Sequence, residues 1–81
     1  MKLPSNEQLA QIRADFPPRT RVVLEYMDDP YAPPVGTHGT VITVDSLGDL
    51  IMRWDNGSGL NVCLEVDRVR KEDMGLYHNI G

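Results

Sequence analysis

The segment Arg53-Trp54-Asp55-Asn56-Gly57-Ser58-Gly59-Leu60 constrains the fold most. Leu50, Met52 and Trp54 alternate along one face of a short run that ends in Asp-Asn-Gly. These turn residues accept the left-handed backbone that a tight hairpin requires. Leu60, Val62 and Leu64 alternate in the run that follows. The pattern predicts strands over 50–54 and 60–64 with those residues inward. Upstream, 21–27 is rich in β-branched and aromatic residues and reads as a strand. Val22, Leu24 and Tyr26 share one of its faces; Val23, Glu25 and Met27 share the other. Residues 28–36 hold three prolines and two adjacent acids, the composition of a long, stiff loop. A strand over 37–45 and a Ser46-Leu47-Gly48-Asp49 turn follow. Residues 66–71 read as a one-turn 3₁₀ helix running into a short fifth strand.

Five short strands divided by turn signals predict an all-β fold with one short helix. So few strands cannot make two covered sheets, which favours a small barrel. The order long loop, tight turn, tight turn, 3₁₀ turn is that of an SH3-like five-stranded small barrel. Ser5-Asn6-Glu7-Gln8 is a capping box, and Leu9, Ile12 and Phe16 recur at helical spacing. Pro18 drives Pro17 out of the α region, so a helix is expected over 6–15. Its apolar stripe covers an open end of the barrel or meets a partner subunit. The expected layout is an N-terminal helix in 1–16, the barrel in 17–71 and a tail in 72–81.

At 81 residues the chain supports one domain and one small core, to which an oligomer would add stability. Its hydrophobic and charged contents, 41% and 25%, are those of a globular protein. The net charge is −4. Generic nucleic-acid binding relies on cations neutralising phosphates, so this balance disfavours it. Arg13, Arg19 and Arg21, or Arg68, Arg70 and Lys71, could still form a local basic patch. The single Cys63 excludes an internal disulfide and a cysteine-based zinc knuckle. No apolar h-region follows Lys2 and no apolar run reaches membrane-spanning length, so a soluble, cytoplasmic protein is expected.

Several motifs share one short frame. Pro17, Pro18 and Thr20 precede the first strand. Met27, Asp29, Pro30, Tyr31, Ala32 and Pro33 fall in the long loop. Gly36, Thr37, Gly39, Thr40 and Val41 open the second strand, and Trp54 to Ser58 with Leu60 make the hairpin. On these residues 17–71 resembles the family known as domain of unknown function 4314. Arg19 stands where that family usually has Gly, and Leu64-Glu65 where Pro-Gly is expected. The resemblance implies a setting in phages and mobile elements of Gram-positive bacteria, and no particular activity. The hairpin alone is also similar to that of the Mib–Herc type domain of ubiquitin ligases, an SH3-like peptide binder.

Candidate contact residues fall in two places. Asp28, Asp29 and Tyr31 lie in the long loop, where the acids could take a cation or a partner's arginines, or only cap the turn. Arg53, Trp54, Asp55, Asn56 and Ser58 lie around the hairpin. Trp54 could stack on a ligand or belong to the core with Leu50 and Met52. His38 and His78 lack metal-ligand partners, and each is expected on the surface or hydrogen bonded. Cys63, out of phase with Val62 and Leu64, is expected to be partly exposed. No phosphate loop, metal motif or nucleophile motif is present, so neither an enzyme nor a cofactor is expected.

The leading expectation is a non-catalytic module that docks on a host or phage protein, such as a host-defence component. Tyr31 and Trp54 would anchor it, and Asp28, Asp29 and Asp55 would receive basic groups. The alternative is an oligomeric binder that sequesters a nucleotide signal between subunits. Leu9, Ile12 and Phe16 would then build the oligomer, and Arg13, Arg19, Arg21 or Arg53 would hold phosphates. Nucleic-acid binding ranks third.

Overall fold

A computed structural model of the chain describes residues 3–72. Its elements are α1 (Asn6–Asp15), β1 (Arg21–Tyr26), β2 (His38–Val44), β3 (Leu50–Trp54) and β4 (Arg68–Lys71). The strands form one antiparallel sheet in the order β3-β2-β1-β4. Among the described residues the sheet is not closed into a barrel, and β3 and β4 are its edges.

The capping box forms as the sequence predicts. Ser5 Oγ accepts the Gln8 N–H at 3.1 Å, and Gln8 Oε1 accepts the Ser5 N–H at 2.8 Å. Leu9, Ile12 and Phe16 are partly buried against the core, so the stripe is used within a single chain. Arg13 donates to the Val44 carbonyl at 3.3 Å, and the Lys71 ammonium lies 5.4 Å from the Phe16 ring centre. These contacts tie α1 to the sheet.

One face of the sheet carries the core: Val22, Leu24, Met27, Val41, Val44, Leu50, Met52, Trp54 and Val62. Two bulges break the simple alternation. In β1 the register against β4 shifts between Leu24 and Tyr26. Tyr26, expected on the face of Val22 and Leu24, is therefore half exposed, and Met27, expected on the opposite face, is buried with them. In β2 a shift between Val41 and Thr43 leaves Ile42 outside and returns Val44 to the core.

The strand expected over 60–64 is reduced to one bridge. Val62 and Leu50 exchange backbone bonds of 2.9 and 3.0 Å. On either side, other groups take the ladder's place. Asn61 Oδ1 accepts the Met52 N–H at 3.2 Å, Leu60 O accepts Trp54 Nε1–H at 2.8 Å, and the Cys63 N–H turns to Asp67. Leu60 and Leu64 still pack on the core, as their alternation predicts. The expected 3₁₀ helix is a single turn in which Cys63 O accepts the N–H groups of both Val66 and Asp67. Glu72 is described and bonded; the rest of the expected tail, with His78, lies outside the described residues.

Arg19 has φ 76°, the only positive φ outside glycine among the described residues. Its N–H donates to Val41 O at 2.7 Å, which fixes the turn into β1. A side chain in this conformation costs about 1–2 kcal/mol, while glycine loses about 0.5–1 kcal/mol more backbone entropy on folding. Arg19→Gly should therefore raise stability by about 0.5–1 kcal/mol in urea unfolding. A loss would mean that the side chain contributes more than its backbone strain costs.

Candidate functional site

The loop between β1 and β2 is pinned along its length. The Asp28 N–H donates to Asp67 Oδ1 at 2.9 Å. Asp29 Oδ1 accepts the Tyr31 N–H at 2.7 Å, and its carbonyl accepts the Ala32 N–H at 3.1 Å. Pro33 is buried. Pro34 O accepts both the N–H and the hydroxyl of Thr37, and Gly36 N–H donates to Leu24 O at 2.8 Å. Asp29 thus performs the turn chemistry foreseen for it. What the fixed loop displays is Tyr31, 83% exposed, with Val35 at 71% and Tyr26 half exposed at its root. Asp28 is also exposed.

The hairpin residues are placed differently. Trp54 is 1% exposed and lies in the core. It cannot anchor a partner, because large aromatics dominate so small a core and this one's indole N–H already has its acceptor. Asp55 is held by Arg21 in a bidentate pair, with bonds of 2.8 and 2.6 Å. Asn56 Oδ1 accepts the Ser58 N–H, and Ser58 Oγ accepts the Leu60 N–H. Gly57 takes φ 94°, as the turn requires. Arg53 is exposed on the face opposite the core. The Asp55 N–H donates to His38 O at 2.9 Å, so this turn lies against the start of β2, where the long loop ends.

Arg21 is the centre of a network that joins β1 and β2 to the residues just past β3 and β4. Besides Asp55 it donates to Glu72 Oε2 at 3.2 Å and Thr40 Oγ1 at 3.0 Å, and His38 Nδ1 lies 2.6 Å from the same Glu72 oxygen. The hydrogen bond to Asp55 raises the Arg21 pKa, and the bond to Arg21 lowers that of Asp55. Glu72 is lowered by its bond to His38, with Arg21 adding to the effect. Arg21 and Asp55, expected to bind phosphate and to receive a partner's cation, instead satisfy each other. A ligand would have to compete with a bidentate pair. Arg13 keeps its charge but directs one N–H to the Val44 carbonyl.

An open groove of about 400 Å³ runs beside α1, lined by Pro4, Ile12, Leu47, Cys63, Leu64 and Asp49 among others. Cys63 is partly exposed there, as expected. Burial raises the Asp49 carboxyl pKa, with Asp45 adding to it. The groove's charged lining residues are Asp49 and Glu65, the wrong sign for a nucleotide.

Asp67 is a structural residue to which no sequence motif assigns a role. It is 6% exposed, and its two carboxylate oxygens accept the N–H groups of Asp28 and Cys63. Its one signal is an acid enclosed in the apolar and basic run Val66 to Lys71, where a surface strand has no need of it.

The family model described as "Domain of unknown function (DUF4314)" matches residues 5–72. No curated protein and no solved structure matches the chain.

Proposed function

The chain belongs to the DUF4314 family, and we propose that it is a non-catalytic, SH3-like module that docks on another protein through the loop between β1 and β2. The observation that carries this reading is Tyr31, 83% exposed at the tip of a loop whose backbone is bonded on both sides of it. A free loop loses conformational entropy when it binds; a pinned one has lost it already. Tyrosine offers a large rigid contact with a polar end, the commonest kind of anchor at protein interfaces. Val35 adds exposed apolar surface to the same loop, and Asp28 adds an exposed negative charge. The complementary surface is an apolar pocket bordered by a cation. The resemblance implies where to look for it: a host or phage protein in the bacterial cytoplasm, with defence components first.

Tyr31→Ala tests the reading. The ring makes little contact in the free protein, so the melting temperature should stay within about 2 °C of wild type. Truncating an interface anchor costs about 2 kcal/mol or more, which is about thirtyfold in affinity. A partner captured from host lysate by the wild type should be lost with this variant and kept with Gly59→Ala. Equal capture by both variants would remove the loop as the contact surface.

A further inference from the structure

Among the described residues the outer edge of β4 is uncovered, and this feature stands independently of Tyr31. The two edges of the sheet differ. Along β3 the outward backbone is occupied: Trp54 N–H donates to Ser58 O, Met52 N–H to Asn61 Oδ1, and Leu50 exchanges two bonds with Val62. Nothing comparable covers β4 among the described residues.

The register shows which of its groups are open. Leu24 N–H bonds Thr37 O and Gly36 N–H bonds Leu24 O, so Val22 and Leu24 direct their backbone towards β2. Glu72 N–H bonds Arg21 O, so Arg21 and Val23 face β4. Val23 is opposite Arg70, which makes these two the hydrogen-bonded pair. The N–H and C=O groups of Val69 and Lys71 therefore point away from the sheet.

The side chains select what can add there. Three of the chain's eight Lys and Arg residues fall within β4, in a molecule of net charge −4. Arg68 and Arg70 share the face away from the core. Glu25 answers Arg70 across 3.7 Å between exposed groups, a weak pair. Val69 lies on the other face and packs on the core. A second copy of β4 would set cation against cation, so the edge resists self-pairing. An acidic strand meets no such penalty.

We infer that β4 accepts an extended segment of another protein as a fifth strand, one that alternates acidic and apolar residues. Acids would oppose Arg68 and Arg70, and an apolar residue would oppose Val69 and widen the core. Backbone bonds would supply affinity and the alternation would supply selectivity.

Amide exchange of the full chain tests this, with a ten-residue peptide alternating Glu and Val as probe and one alternating Lys and Val as control. The Val69 and Lys71 amides should exchange fast in the free protein and at least tenfold slower with the Glu peptide. The Arg70 amide, already bonded to Val23, should not change. The double variant Arg68→Glu/Arg70→Glu should reverse the preference between the two peptides. Any of four results overturns the inference. They are no binding at millimolar peptide, binding without slowed exchange at Val69 and Lys71, protection already present in the free protein, and protection that grows with protein concentration.

Discussion

Gly39→Ala is expected to destabilise the protein by about 3 kcal/mol, although it adds only a methyl group. A Cβ at this position would lie 2.5 Å from Trp54 Cε3 and 3.0 Å from Cδ2 and Cζ3. Gly39 sits in the middle of the sheet, opposite Val22 on β1 and Trp54 on β3. A glycine in a strand interior is unfavourable by itself, by roughly 0.5–1 kcal/mol relative to alanine. Here the missing side chain is the space in which the indole lies. The ring cannot easily yield, because it is 1% exposed and its Nε1–H is bonded to Leu60 O at 2.8 Å. Moving it breaks that bond and disturbs the segment leading to Val62. Overpacking of this kind costs typically 1–3 kcal/mol, occasionally more, and the fixed ring puts this site at the upper end.

A domain of this length has a total stability on the order of 4–12 kcal/mol, so the loss is a large share. The melting temperature should fall by roughly 12–24 °C. Gly59→Ala is the control: its added Cβ meets nothing within 4 Å, and the change should be close to neutral. Trp54→Leu in the Gly39→Ala background should recover part of the Gly39 loss, since it removes the obstructing ring while costing core contacts. Equal melting temperatures for Gly39→Ala and Gly59→Ala would show that the sheet relaxes around the methyl.

The sequence signals that hold in this fold are local ones. The start of α1 is legible because the Ser5–Gln8 capping box closes within a single turn. β3 is legible because its three inward residues end at an Asp-Asn-Gly turn that itself explains Asn56 and Gly57. The misreadings are non-local. Period-two alternation places Tyr26 on the face of Val22 and Leu24, but the bulge that breaks it arises from pairing with β4, more than 40 residues later in the chain. Leu60, Val62 and Leu64 have the pattern of a strand, yet only Val62 pairs, because Asn61 and Asp67 take neighbouring N–H groups with their side chains. The candidate site divides in the same way. Tyr31 is readable from its proline-rich loop. That Arg21 would neutralise Asp55, 34 positions away, has no sequence period to reveal it. The choice between core and contact for Trp54 turned on what lies opposite it, which is Gly39.

Asp67→Ala is expected to cost about 2–4 kcal/mol and to loosen the loop that presents Tyr31. Each carboxylate oxygen of Asp67 accepts one backbone N–H, from Asp28 at 2.9 Å and from Cys63 at 2.8 Å. The side chain thereby joins the start of the loop to the turn before β4. Hydrogen bonds to a charged acceptor are worth about 1.5–3 kcal/mol each, and stranding a buried donor costs about 1–3 kcal/mol. Both bonds are only partly buried, so water can replace some of what is lost, which holds the total below the sum of the two. Asp67→Asn keeps one acceptor oxygen but turns an NH₂ group towards the other donor, so roughly half the loss should remain. The local consequence separates this role from a general loss of stability. Amide exchange at Asp28 and Cys63 should accelerate more than at Val22 and Val41, whose bonds lie inside the sheet. Affinity at Tyr31 should fall as well, although Tyr31 itself is unchanged, because the loop must then be ordered on binding. If Asp67→Ala lowered stability while exchange at Asp28 rose no more than at Val22, the carboxylate would support the fold without holding the loop, and the Tyr31 loop would have to owe its rigidity to Pro30, Pro33, Pro34 and the Asp29 turn.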